Sequence, residues 1–175
     1  LPPFRYLRLS SPLDTPPTAP DFADSTWQTL EYNQYWEQSQ VNFVLRSGFV
    51  VPPEWDKDSP VGLYLPLGDP GSFSHPEALA YIDGEPYATC DRHHQEFGLP
   101  ERCRDGQPHT LALHGWTGND NKDGEHGRLL LRTCEVVQID QPTRDLIAAV
   151  RVALSAAKHL DANEPARQQI LNALD

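Results

Sequence analysis

The 175 residues carry a formal net charge of −11, are 38% hydrophobic, and have a mean hydropathy of −0.56. That length fits one domain with its own core, and four Trp, six Tyr and six Phe are too many aromatics for a disordered chain. The acidic balance argues against nucleic acid and anionic membranes as partners, because both need Lys and Arg against phosphate.

No apolar run approaches the ~20 residues of a membrane span, and no secretory signal pattern opens the chain. Cys90, Cys103 and Cys134 cannot all pair within one chain and lack zinc-site spacing. They read as free thiols of a cytoplasmic protein, with one disulfide and a spare thiol as the alternative.

Residues 1–24 hold Pro2, Pro3, Pro12, Pro16, Pro17 and Pro20 and are expected to run extended over a surface, as an arm before the folded domain. Residues 25–40 are aromatic (Trp27, Tyr32, Tyr35, Trp36) and fit either a short strand or an irregular arm. Strand signals follow in VNFVLRSGFVV (41–51) and PVGLYLPLG (60–68). EALAYIDGEPYATC (77–90) reads as a hairpin, because Asp83-Gly84 supplies the positive φ angles of a tight type I′ turn. HTLALHGW (109–116) and RLLLRTCEVVQI (128–139) are read as one strand each.

Short strands with turn residues between them predict a mainly β fold, a β-sandwich over about residues 25–139. Residues 140–175 change period. Asp140 is a candidate N-cap, and Leu146, Ile147, Val150, Leu154, Ala157 and Leu160 follow at helical spacing. A second short helix follows Asn163, and the pair reads as a connector.

The densest chemical cluster is Asp91-Arg92-His93-His94, followed by Glu96. It fits a hydrogen-bonded loop after the hairpin, a contribution to a neighbouring domain's pocket, or a metal site. Asn119-Asp120-Asn121-Lys122-Asp123-Gly124 resembles the start of a calcium loop, but its twelfth position is Leu130 where a bidentate Glu is required. A solvated hairpin loop is the better reading. No pair of carboxylates stands out as a glycosidase pair, and no GxSxG, HExxH, Walker or dinucleotide motif occurs. Cys90 reads as a packed strand residue. Trp36, Trp55 and Trp116 are candidates for stacking on sugar rings, although buried packing is the commoner fate of a Trp.

SHPEALAYIDGEPYATCDRHHQEFGLP (74–100) resembles a segment of the N-terminal domain of glycoside hydrolase family 38 α-mannosidases, in the cytosolic and vacuolar branch. Tyr81, Asp83, Gly84, Asp91, Arg92 and His94 carry the likeness. FVVPPEW (49–55), HTLALHGWTG (109–118) and the helical tail from Cys134 agree in kind.

The resemblance implies that the sandwich of residues 25–139 is a jelly roll of the galactose-binding type, and it implies a retaining, metal-dependent exo-α-mannosidase as the parent, with zinc in a catalytic domain that opens on a His-x-His-x-Asp motif. No such motif occurs in these residues. The chain is therefore expected to hold no complete active site, no catalytic residue, no metal ligand and no cofactor of its own. Its expected partners are its own catalytic domain and the α-mannoside substrate. The Asp91–His94 loop is expected to reach the pocket, Asp91 and His94 offering hydrogen bonds to sugar hydroxyls and Trp116 a stacking face. An autonomous carbohydrate-binding module and a purely structural brace are the competing readings.

Overall fold

A computed structural model describes residues 1–38, 40–68, 75–118 and 129–174. The chain forms two compact units, one of Leu1–Asp56 with Val61–Gln138, the other of Lys57–Pro60 with Ile139–Asp175.

The first unit is a β-sandwich. Its strands are β1 (Phe4–Leu9), β2 (Gln28–Leu30), β3 (Gln34–Glu37), β4 (Asn42–Phe49), β5 (Val61–Tyr64), β6 (Glu77–Ile82), β7 (Glu85–Cys90), β8 (Glu96–Gly98), β9 (His109–Trp116), β10 (Leu129–Leu131) and β11 (Glu135–Gln138). A six-stranded sheet runs β2-β1-β4-β9-β6-β7, a second sheet runs β11-β5-β8, and β10 pairs with β3. Every pairing is antiparallel. Alternate residues of the large sheet, among them Phe4, Tyr6, Phe43, Leu45, Ala80, Ile82, Leu111 and Leu113, share one core with Trp36, Leu63, Leu129 and Leu131 of the smaller sheets and with Leu65 just after β5. The mainly β sandwich followed by helices is thus the observed architecture.

The other face of the large sheet is covered as well. Val44, Arg46 and Ala112 alternate with the core residues, so they point away from the core, yet they are buried. The proline-rich chain after β1 crosses this face. Arg46 donates through Nε to Asp24 Oδ2 at 2.8 Å, through Nη1 to the Pro17 carbonyl at 3.0 Å and through Nη2 to the Pro20 carbonyl at 3.4 Å. Its guanidinium also lies 5.9 Å from the Phe22 ring centre. The strap reaches as far as the tip of the β6–β7 hairpin, where a side chain on Gly84 would meet Pro20 at 3.2 Å. Asp83 and Gly84 have φ of 53° and 84°, the positive pair the type I′ turn requires.

Two expectations need correction. Residues 1–24 are not an arm outside the sandwich, because Phe4–Leu9 is an inner strand between β2 and β4. The prolines flank that strand and do not occupy it, so every amide from Phe4 to Leu9 is free to enter the ladder. The run 128–139 is two strands, and the break follows from burial. Leu129, Leu131 and Cys134 are buried, and an odd step from 131 to 134 cannot keep one face in a continuous strand. At the break Arg132 donates its amide to the Pro66 carbonyl and Cys134 Sγ bonds the Arg132 carbonyl. Strand β8, polar and short, had no signal strong enough to mark it. The loop 119–128, read as a solvated hairpin loop, lies outside the described residues.

The second unit holds α1 (Gln141–His159) and α2 (Pro165–Leu174). Asp140 caps α1, accepting from the Thr143 amide at 3.1 Å and the Thr143 hydroxyl at 2.9 Å. The helices meet at Ala157, whose carbonyl accepts from Arg167 Nε at 3.2 Å. Leu146, Ile147, Val152 and Leu154 of α1 are exposed.

Replacing Arg46 by Ala should lower the unfolding free energy by about 3 kcal/mol, since it strands a partly buried carboxylate and two carbonyls. Urea denaturation reads the loss, and limited proteolysis should cut first within residues 10–27. An unchanged midpoint would show that the strap is held by its other contacts.

Candidate functional site

Strand β7 ends at Cys90, and the next four residues close a tight turn, the Asp91 amide donating to the His94 carbonyl at 3.3 Å and the His94 amide to the Asp91 carbonyl at 3.2 Å. Asp91 Oδ1 accepts from the amides of His93 (2.7 Å) and His94 (2.8 Å), and both carboxylate oxygens lie 3.0 Å from His94 Nδ1. The His94 hydrogen bond and the two amides hold the Asp91 carboxyl down at about 2. Arg92 Nε donates to His93 Nε2 at 2.9 Å. The rings of His93 and His94 are exposed. The four residues are brought together, but the Asp91 carboxylate is engaged within its own turn. Among the described residues, no three His, Cys, Asp or Glu side chains converge to hold a metal ion. These residues do not fit a zinc site.

Trp116, at the end of β9, stands between Asn42 of β4 and Glu77 of β6 in the register and is 37% exposed. Because Ala78 pairs with Cys90, the Asp91 turn follows at the same end of the sheet. Trp36 is buried, its indole N–H donating to the Leu67 carbonyl at 3.1 Å, so it offers no open face. Trp55 is half-buried in a groove of about 410 Å³ with Phe49, Pro52 and Glu135.

A feature that sequence reading missed lies where β1 and β3 approach. Arg8, Tyr35, Trp36, Glu37 and Gln38 line a cleft of about 350 Å³. Tyr35 is 63% exposed. Arg8 Nη1 pairs with Glu37 Oε1 at 3.6 Å; the Arg8 side chain is 60% exposed and that of Glu37 only 12%. Behind them the Tyr6 ring stands edge-on to Trp36, with centroids 5.7 Å apart. Burial, and then the neighbouring Glu37 carboxylate, push the Tyr6 phenol up to about 12. The buried Tyr6 hydroxyl completes no well-formed hydrogen bond among the described residues. The only sequence signal was the aromatic density of residues 25–40, and nothing there pointed to Arg8.

At the opposite end of the large sheet His109 is held from both sides. Its Nδ1 lies 2.7 Å from Asp83 Oδ2 and its Nε2 3.2 Å from Asp105 Oδ1. Carboxylates only accept, so both bonds form together only when the ring is an imidazolium. Burial pulls the His109 pKa down, but the bonds to Asp83 and Asp105 outweigh it and the net shift is upward. Asp83 Oδ1 also accepts the Thr110 amide at 2.9 Å, which ties the hairpin tip to β9. The ring stacks on Phe49, so this group braces the end of the sheet.

No protein family matches the chain, and no curated protein matches it in sequence. Its fold is similar to part of a Bacteroides uniformis β-glucuronidase, with a TM-score of 0.53 and 14% identity, over 79% of this chain and 17% of that one. It is also similar to part of a glycosyl hydrolase family 2 member from Bacteroides cellulosilyticus, with a TM-score of 0.55 and 11% identity, over 78% of this chain and 20% of that one. At these identities the likeness is one of fold. The chain spans only those 17% and 20% of the solved enzymes it matches.

Asp91→Ala should cost about 1 kcal/mol, as the loss of a capping carboxylate does. Because the folded Asp91 pKa lies below the ordinary 3.8, its contribution is present above about pH 4 and is lost as pH falls through about 2. Acid unfolding curves of the two proteins should therefore converge at low pH. His109 has the opposite sign. Its folded pKa lies above 6.5, so its contribution is complete below that pH and is lost as pH rises through the folded value. The melting temperature of wild type should fall relative to that of His109→Gln between pH 6 and 9, and parallel profiles would refute the bracing role.

Proposed function

We propose that this chain is a non-catalytic accessory domain of a glycoside hydrolase, packing on the catalytic part of its parent and helping to shape the mouth of the substrate pocket. The observation that carries this reading is a fold shared with about a fifth of the length of two such hydrolases. The exposed apolar residues of α1, Leu146, Ile147 and Leu154, support a covering partner, since contiguous bare apolar surface marks interaction sites. They favour packing on a catalytic domain over a free tethered binding module. Within this role Asp91 acts as a positioning residue. Its turn presents His93, His94 and Arg92, and these side chains would touch sugar hydroxyls at the pocket rim.

The motif residues Tyr81, Asp83, Gly84, Asp91, Arg92 and His94 favour an α-mannosidase parent with zinc in its catalytic domain. The β-glucuronidase named among the fold neighbours favours a second reading, a family 2 parent acting on β-glucuronides. Three buried free thiols, Cys90, Cys103 and Cys134, support a reducing, cytoplasmic compartment.

The test assays the isolated chain and the full-length gene product on aryl α-mannoside and aryl β-glucuronide, with and without a chelator. The isolated chain should turn over neither. The full-length product should hydrolyse one, with chelator sensitivity marking the mannosidase. Turnover by the isolated chain would overturn the accessory reading. Asp91→Ala in the full-length enzyme should raise KM or lower kcat at constant fold.

A further inference from the structure

We propose that the cleft between Arg8 on β1 and Tyr35–Gln38 at β3 is a subsite for one neutral hexopyranoside, held through neighbouring hydroxyls and a ring face. The proposal rests on the accessory-domain reading for its biological sense, and its chemistry comes from the cleft itself.

Tyr35 and Glu37 both line the cleft, on either side of a bulge at Trp36 where the β3–β10 register shifts. One is an aromatic ring left 63% exposed and the other a carboxylate only 12% exposed. An aromatic face beside a fixed acceptor suits the C–H face and the hydroxyls of a sugar ring. Arg8 holds the Glu37 carboxylate from one side and, at 60% exposed, has further guanidinium donors to offer.

Charge selects among ligands. A cation at this cleft meets Arg8 and an anion meets Glu37, so a neutral ligand is favoured over either. A vicinal diol both donates and accepts, so it is the simplest chemistry that can answer both the guanidinium and the carboxylate. The Tyr35 face then prefers a ring to an open-chain polyol. A volume of about 350 Å³ admits a single sugar residue, which makes this a subsite and not a chain-binding groove.

Asp14, Asp83, Asp91, Asp105 and Asp140 each accept a main-chain amide. Glu37 instead pairs with the Arg8 side chain at the wall of a concave surface that carries Tyr35 and Trp36.

The experiment is an amide NMR titration of this 175-residue chain with methyl α-mannopyranoside, methyl β-glucopyranoside, methyl β-glucuronide and mannitol. At least one neutral pyranoside should give saturable shifts at Arg8, Tyr35, Glu37 and Gln38, with a Kd of roughly 1–10 mM. The glucuronide and mannitol should bind more weakly. Tyr35→Ala should weaken binding by about tenfold at an unchanged melting temperature, because that side chain packs on little. Glu37→Gln, which preserves shape, should weaken it similarly.

The proposal is overturned by the absence of saturable shifts for both neutral pyranosides up to about 100 mM. It is equally overturned by shifts centred elsewhere, such as Trp116, by wild-type affinity in Tyr35→Ala, or by equal binding of mannitol. None of these results touches the accessory reading, which falls only if the chain alone hydrolyses a glycoside.

Discussion

A guanidinium buried on the outward face of a sheet decides how this sandwich is built. Arg46 points away from the core and is nonetheless 3% exposed, so its charge must be answered by fixed acceptors. The proline-rich strap supplies them through the carbonyls of Pro17 and Pro20 and the carboxylate of Asp24. Proline lacks an amide donor but keeps its carbonyl, so a strap of this composition can serve a buried cation without offering another ladder strand. The same strap shields Val44 and Ala112 and seats Pro20 against the hairpin tip. One side chain thereby ties β4 to a segment that carries no regular structure of its own.

The parts that could be read from the chain are those whose physics is local. Asp83-Gly84 announced its turn because two adjacent positive φ angles admit few residues. Asp140 and Pro142 announced the start of α1 in the same way. Strand β1 escaped because the prolines around it drew the reading, while the alternation of Phe4 and Tyr6 spans too few residues to outweigh them. The break at Arg132–Cys134 escaped because Val, Leu and Cys suit a strand on either face, and only the partner sheets decide which. The cleft was invisible for a stronger reason. Its residues come from β1 and β3, in different sheets, and no spacing along the chain encodes their approach.

The Asp91–His94 cluster shows the reverse case, in which sequence density overstated chemistry. An aspartate two or three residues before a free amide is in reach of its own backbone, and the short side chain turns inward. The net charge of −11 therefore describes the chain as a whole and not a set of idle carboxylates. Asp14, Asp83, Asp91 and Asp105 accept main-chain amides in turns, and Asp140 does so at the start of α1.

The three cysteines give the sandwich a built-in chemical reporter. Cys90, Cys103 and Cys134 have no exposed surface, and burial pushes each thiol away from the reactive thiolate form. Each sits on a different element, β7, the short 3-10 turn Glu101–Arg104, and the break after β10. Alkylation must therefore wait for the chain to open, and the order in which the three thiols are modified maps which part of the sandwich comes apart first.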